Sequence, residues 1–164
     1  IGVRLVGSEM CIRDRVLRDY HAENLIWLPK RNKNKRVGLL DYQDALAGHP
    51  AYDLASLLKD ARRDVSFKLR DELTHYFLKQ TKFNKELFLR DYSILSAQRN
   101  LKIIGIFARL SIRDNKPGYL NLIPRVWKNL QDDLLHPSLT ELSSFIKINV
   151  PEPTVSTLQK INSV

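Results

Sequence analysis

The sequence Arg18-Asp19-Tyr20-His21-Ala22-Glu23-Asn24 carries an aspartate and, five residues later, an asparagine. A second carboxylate, Asp41, directly follows the short apolar run 37–40. A carboxylate can accept the proton of an attacking hydroxyl, and carboxylate and amide oxygens are the hard ligands that Mg²⁺ prefers. These groups are what phosphoryl transfer from a nucleotide requires, provided that the fold brings them together.

A hairpin between the two motifs would bring them together. The apolar runs 25–28 and 37–40 flank the basic stretch 29–36, a pattern that predicts two strands joined by a solvated turn. Asn24 would then start one strand and Asp41 would follow the other, on the same side of the hairpin. The spacing therefore predicts Asn24 and Asp41 as Mg²⁺ ligands beside Asp19, the candidate catalytic base.

The order R-D-x-x-x-x-N, strand, Asp is that of the kinase catalytic loop and its metal-binding aspartate. On residues 17–25, 38–58, 98–114 and 124–139 the chain resembles the aminoglycoside phosphotransferase family, the small-molecule relatives of the protein kinases. Within that family it is similar to the anomeric sugar kinases that act on N-acetylmuramate and N-acetylglucosamine in cell-wall recycling. The resemblance implies ATP and Mg²⁺ as cofactors, an amino sugar as substrate and a cytoplasmic enzyme.

The resemblance also implies supporting residues around the loop. Asp53 corresponds to a buried helix aspartate that accepts backbone N–H groups of the catalytic loop, and Arg18 and His21 belong to the loop itself. Polar side chains near the site are candidates for contacts with sugar hydroxyls or an acetamido group: Gln43, Asp44, Gln98, Arg99 and Asn100. The first two could equally shape the following turn, and the last three could form a solvated helix face.

Beyond the hairpin, apolar residues recur at helical spacing. The pattern predicts helices over 51–62, 65–80, 85–112, 119–135 and 138–146, with Asn84 and Ser138 as N-caps and Pro124 near a first turn. The predicted fold class is mainly α with a small β-hairpin. The resemblance makes residues 16–147 the C-terminal lobe of a protein-kinase-like fold with its N-lobe missing, followed by a flexible tail over 148–164.

Residues 1–15 resemble the in-frame translation of a transposase adapter and are excluded from the fold prediction. They contain the only cysteine and the only methionine, Cys11 and Met10, so the remainder offers no thiol chemistry. The expectation that follows is a gene interrupted just before the catalytic loop. Because no Gly-rich loop or strand lysine precedes that loop, this fragment alone is expected to be inactive.

The net charge of +9 suits a protein that handles phosphates, and it would also suit nucleic-acid binding. No basic stripe with interleaved aromatic residues is found, so a nucleic-acid partner is not expected. No apolar run approaches the ~20 residues of a membrane span, so a membrane partner is not expected either. The oligomeric state is left open.

Two alternative functions remain. One keeps the mechanism and changes the acceptor to an aminoglycoside, a choline-like alcohol or another metabolite, because acceptor pockets vary while the phosphoryl-transfer groups do not. The other is a non-catalytic helical binding module. The presence of Asp19, Asn24 and Asp41 together argues against the binding module.

Overall fold

The computed structural model describes residues 14–162, and their side chains from 15 to 161. The prediction about the N-terminal segment therefore lies, except for its last two residues, outside the described part. Four short strands form two antiparallel pairs. Strand β2 (Leu25–Trp27) pairs with β3 (Val37–Leu39), which confirms the predicted hairpin, and residues 29–36 of its basic turn are exposed. Strand β1 (Asp14–Val16) pairs with β4 (Leu46–Gly48), a sheet that the sequence did not predict.

Six helices make up most of the described chain, which confirms a mainly helical fold class with small antiparallel sheets. They are α1 (Ala51–Leu58), α2 (Phe67–Gln80), α3 (Lys85–Asp114), α4 (Ile123–Asp133), α5 (Thr140–Asn149) and α6 (Val155–Asn162). The predicted end of α1 at residue 62 is wrong. The chain leaves the helix at Lys59, and the Asp60 carboxylate accepts the backbone N–H of Arg62 at 2.9 Å, a local bond that competes with helix continuation.

The helix caps test the predicted boundaries directly. Asn84 Oδ1 accepts the N–H of Leu87 at 3.1 Å, which confirms the predicted cap of α3. Pro124 lies in the first turn of α4, where its missing N–H would have no helical partner. The Ser138 cap is wrong, because this residue lies in the 3₁₀ turn Pro137–Leu139 and its own N–H donates to His136 Nδ1.

Helix α3 is the element against which the others pack. Its 30 residues contact α1, α4 and α6, and at 1.5 Å per residue it is about 45 Å long. Three buried apolar clusters lie along it, centred on Phe88 beside α1, on Ala97 and Leu130 beside α4, and on Phe107 and Val126. None of the helices within residues 14–162 is both long and apolar enough to cross a membrane.

The chain after residue 149 differs from the predicted flexible tail. Helix α6 forms over Val155–Asn162, and its Leu158 and Ile161 pack against the cluster around Phe107. Thr154 begins it by accepting the N–H of Thr157 at 3.2 Å. The sequence analysis missed this helix because its apolar repeat is short and directly follows two prolines, Pro151 and Pro153, which are typical of a chain without helix.

Candidate active site

The first half of the loop 17–24 is fixed by a carboxylate on α1. Asp53 accepts the backbone N–H groups of Leu17 at 2.6 Å and of Arg18 at 3.0 Å. This is the contact that the sequence analysis expects of Asp53. Burial raises the pKa of Asp53, and the two N–H bonds act against that rise because they stabilise the ionised carboxylate.

The second half of the loop is fixed by another carboxylate, which the sequence analysis missed. Asp60, only 2% exposed, accepts the N–H of Ala22 at 3.3 Å. Close by, the Arg62 guanidinium pairs with Glu23 at 3.0 Å. Helical spacing offered no signal for it, because α1 ends at Leu58 and Asp60 lies in the turn that follows the helix.

Asp19 lies in the turn between these two fixed points. Its backbone carbonyl accepts the N–H of His21 at 2.9 Å and the side-chain amide of Asn24, also at 2.9 Å. Arg18 before it has a left-handed backbone with φ of 71°. Within residues 14–162 the Asp19 carboxylate makes no hydrogen bond or ion pair, and the residue is exposed. A carboxylate held this way is available to a hydroxyl of a bound substrate.

Asn24 connects the loop to the hairpin. Its Nδ2 donates to the Asp19 carbonyl and lies 3.4 Å from His21 Nε2, while its backbone carbonyl accepts the N–H of Leu40 at 2.9 Å. The hairpin pairing thus extends to Asn24 and places it opposite Leu40, the residue before Asp41. With Nδ2 engaged, Oδ1 is the side-chain atom left to bind a metal.

Asp41 follows β3 and has a left-handed backbone with φ of 54°. Its Oδ1 accepts a hydrogen bond from Gln43 Nε2 at 3.0 Å. The donors offered by Asn24 and Asp41 are all oxygens, which fits Mg²⁺. The described residues contain no group of three or more His, Cys, Asp or Glu side chains that could hold a metal ion. A site with few protein ligands also fits Mg²⁺, which usually keeps waters and takes its remaining ligands from phosphates.

Two hollows flank the loop. One, of about 390 Å³, is lined by Arg15, Leu17, Tyr20, Asn34, Val37, Leu39 and Asp53. The other, of about 230 Å³, is lined by Val16, Arg18, Leu46, Gly48, His49, Tyr52 and Leu95. The predicted supporting residue Arg18 therefore donates its N–H to Asp53 and presents its side chain to the smaller hollow.

The predicted substrate-binding residues fall in different places. Gln43 holds Asp41 and so acts within the proposed metal site. Asp44 and Gln98 are exposed. Asn100 is 1% exposed and donates to Asp133 Oδ2 at 2.9 Å, so the structure contradicts its prediction as a sugar contact: the side chain is used inside the helix interface.

Arg99 is a buried cation behind the loop. It is 7% exposed, and its Nη1 has no hydrogen-bond partner in the described structure. Burial lowers the pKa of the guanidinium, and the nearby Tyr52, Asp60 and Asp19 oppose that effect. The alternative prediction that residues 98–100 form a solvated helix face is therefore wrong for Arg99 and Asn100, which α3 directs toward neighbouring helices.

A buried ion pair that the sequence did not predict joins three helices. Lys59 Nζ contacts Asp133 Oδ1, and both side chains are nearly inaccessible. Asp133 Oδ2 accepts the Ser96 hydroxyl at 2.7 Å and the Asn100 amide. The network fixes the end of α1 against α3 and α4, directly behind the loop that Asp60 holds.

Comparison with known proteins agrees with this arrangement. Residues 15–92 match the phosphotransferase enzyme family. Over 138 residues the chain is 47% identical to the N-acetylmuramate/N-acetylglucosamine kinase of Caulobacter vibrioides, covering 84% of this chain and 38% of that protein. The enzyme of the same name from Pseudomonas aeruginosa is 39% identical over 141 residues, covering 80% and 40%. That from Neisseria meningitidis is 39% identical over 118 residues, covering 67% and 34%.

The chain thus spans about two fifths of the length of the curated relatives it matches. The matched family region contains the loop, the hairpin and α1, which are the elements that carry Asp19, Asn24, Asp41 and Asp53. On this sequence match and this geometry, residues 15–92 belong to the phosphotransferase enzyme family.

Proposed function

We propose that this chain forms part of an ATP- and Mg²⁺-dependent kinase that phosphorylates a hydroxyl of a small molecule. The observation that carries the proposal is the pair of hydrogen bonds made by Asn24, one to the Asp19 carbonyl and one from the N–H of Leu40. They tie the candidate base to the start of β2 and to the residue before Asp41.

In this mechanism Asp19 accepts the proton of the attacking hydroxyl. Asn24 Oδ1 and Asp41 would hold Mg²⁺, which supplies charge neutralisation at the transferred phosphoryl group. Gln43 orients the Asp41 carboxylate, and Asp53 fixes the backbone that leads into Asp19. The contribution of these residues is positioning and electrostatic stabilisation, without a covalent intermediate.

The acceptor that we propose is the anomeric hydroxyl of N-acetylmuramate or N-acetylglucosamine. Support comes from the names of the relatives, which are similar to this chain across most of its length. Such a substrate would place the enzyme in peptidoglycan recycling in the cytoplasm. Gln98 and Arg99 stay candidates for contacts on the acceptor side of the site.

The test is a chimera in which this chain's residues replace the matched 138 residues of the Caulobacter vibrioides kinase. We expect it to phosphorylate N-acetylmuramate and N-acetylglucosamine with ATP and Mg²⁺, and to ignore a panel of aminoglycosides and choline. The parent kinase serves as the positive control. We expect this chain alone, which spans about two fifths of its relatives, to show no turnover.

A folded chimera that transfers no phosphate to any acceptor would contradict the proposal. Transfer to an aminoglycoside or to choline with none to amino sugars would keep the kinase mechanism and overturn the substrate. Turnover by this chain alone would overturn the expectation about the fragment.

A further inference from the structure

Asp60 makes contacts that the proposed mechanism does not use. Its Oδ2 accepts the N–H of Ala22 and its Oδ1 accepts the N–H of Arg62, while the side chain is 2% exposed. A buried carboxylate is unfavourable unless its oxygens are satisfied. These two donors satisfy one oxygen each, so the position of Ala22 is linked to the end of α1.

Asp53 on α1 and Asp60 just after α1 bind different halves of the loop 17–24. Asp53 binds the backbone of residues 17 and 18, before the candidate base Asp19. Asp60 binds Ala22, the first residue of the 3₁₀ turn Ala22–Asn24 that ends at the candidate metal ligand. The Arg62–Glu23 ion pair adds a second link from the same segment to the same turn.

We propose that Asp60 is a positioning residue for metal binding, which sets Asn24 at the correct distance from Asp41 by fixing the turn that precedes it. Asp53 positions the base, and Asp60 positions the metal ligand. The inference rests on the proposed function, because it assigns Asn24 to the metal.

Arg99 fits this division as the counter-charge beneath the loop. It lies close enough to interact electrostatically with Asp53, Asp60 and Asp19, yet it forms no ion pair with any of them among the described residues. Because Nη1 has no hydrogen-bond partner, this guanidinium nitrogen is not bound to any one of these carboxylates. The buried cation therefore favours the ionised form of Asp53.

Hydrogen exchange of this chain tests the contact without any enzymatic assay. In Asp60→Asn an NH₂ group replaces one of the two oxygens. We expect the remaining oxygen to keep the shorter local bond from Arg62 at 2.9 Å, so that the NH₂ donor faces the Ala22 N–H at the longer 3.3 Å contact. We expect the Ala22 amide to exchange roughly 3–10-fold faster, the loss of about one hydrogen bond. The amides of Leu17 and Arg18, which Asp53 holds, should keep their rates. Asp64→Asn is the matched control, because its exposed carboxylate pairs only with Arg125.

Kinetics of the chimera test the function of the contact. We expect Asp60→Asn to raise the Mg²⁺ concentration needed for half-maximal rate about tenfold or more, the range found when a group supporting a metal ligand is lost. At saturating Mg²⁺ the pH dependence of kcat/KM should stay unchanged, because Asp19 is held by Asp53. Ala22→Pro removes the same contact from the loop side at a position where proline suits a helical turn, and should give the same shift. It keeps the test valid if Asp60→Asn does not fold.

Unchanged Mg²⁺ dependence in a folded Asp60→Asn or Ala22→Pro chimera would overturn the inference. Equal acceleration of the Leu17, Arg18 and Ala22 amides would also overturn it, since the two halves of the loop would then respond as one. Failure of the proposed function would give a different result. The unmutated chimera would then transfer no phosphate, while Asp60→Asn would still accelerate exchange of the Ala22 amide.

Discussion

The Asp19 carboxylate makes no hydrogen bond or ion pair within the described residues, although the backbone carbonyl of this residue accepts two hydrogen bonds. A structural aspartate would use its side-chain oxygens, as Asp53 and Asp60 do. The residue pattern of the sequence was sufficient to propose Asp19, Asn24 and Asp41. It could not find Asp60, because a buried carboxylate at a helix end is recognised by its backbone donors, which only the folded chain supplies.

Asp19→Asn in the chimera should lower kcat by about 10²–10⁴-fold, the usual effect of losing a general base. Its fold should be unchanged, because no contact of the carboxylate is lost. Steady-state kinetics with ATP and N-acetylglucosamine measure the effect. Asp64→Asn, at an exposed carboxylate outside the proposed site, is the matched control. Turnover of Asp19→Asn within about twofold of the parent would exclude Asp19 as the base.

Asp41→Ala should lower activity more than Asn24→Ala, because only Asp41 brings a negative charge to the metal. We expect a loss of about 10²–10³-fold for Asp41→Ala, as for other preorganised electrostatic groups. Titration with Mg²⁺ should show that higher concentrations recover part of the Asn24→Ala rate. A larger loss in Asn24→Ala would reverse the order of the two ligands.

At the scale of elements, helix α1 carries Asp53, which holds the loop 17–24, and its first turn depends on a titratable histidine. His49 Nδ1 accepts the N–H of Ala51 at 3.2 Å, and the ring lies against Phe83 and Phe88. Burial lowers the pKa of His49 below its ordinary value of 6.5, although Asp91 at 3.7 Å opposes the shift. Protonation of Nδ1 would remove the acceptor on which the first turn of α1 depends.

Acidification should therefore weaken the fold through His49. The neutral ring is favoured in the folded chain, so its contribution to stability is complete above pH 6.5 and is lost as the pH falls from there through the lower folded-state pKa. Urea unfolding at a series of pH values measures this. His49→Asn keeps an acceptor without titrating, and should flatten the decline. His75→Asn, at an exposed histidine on α2, should leave it as it is. An unaltered decline in His49→Asn would refute the assignment.

Periodicity predicted helices α1 to α5, although the apolar face of α2 is largely exposed and its buried residue is Thr74. The errors occur where local side-chain bonds or tertiary burial decide: Asp60 ends α1 early, His136 takes the N–H of Ser138, and α6 forms because α3 offers Leu158 an apolar surface. The β1–β4 pair was missed because β1 begins at Asp14, inside the segment 1–15 that was excluded from the fold prediction, so that β4 had no predicted partner.

At the scale of the whole molecule, the Lys59–Asp133 pair connects the site segment to the helical core. Asp133→Ala would leave a buried Lys59 charge unpaired and should lower the free energy of unfolding by roughly 3–5 kcal/mol. The neighbouring Asp132→Ala removes only an exposed pair with Arg70 and should change it by about 0–1 kcal/mol. Urea titration measures both. The double variant Lys59→Met with Asp133→Asn, which keeps an acceptor for Ser96 and Asn100, should recover much of the loss. Equal effects of Asp132→Ala and Asp133→Ala would contradict this assignment.

Arg18 and Asp41 both adopt left-handed backbone conformations, which side chains with a Cβ atom enter only at a cost of roughly 1 kcal/mol each. Arg18 directly precedes the candidate base, and Asp41 is itself a candidate metal ligand. Laboratory evolution of the chimera for heat resistance alone would thus be drawn toward glycine at both positions. Selection for thermostability without an activity screen should therefore reduce catalytic activity first, through substitutions at these strained backbone positions.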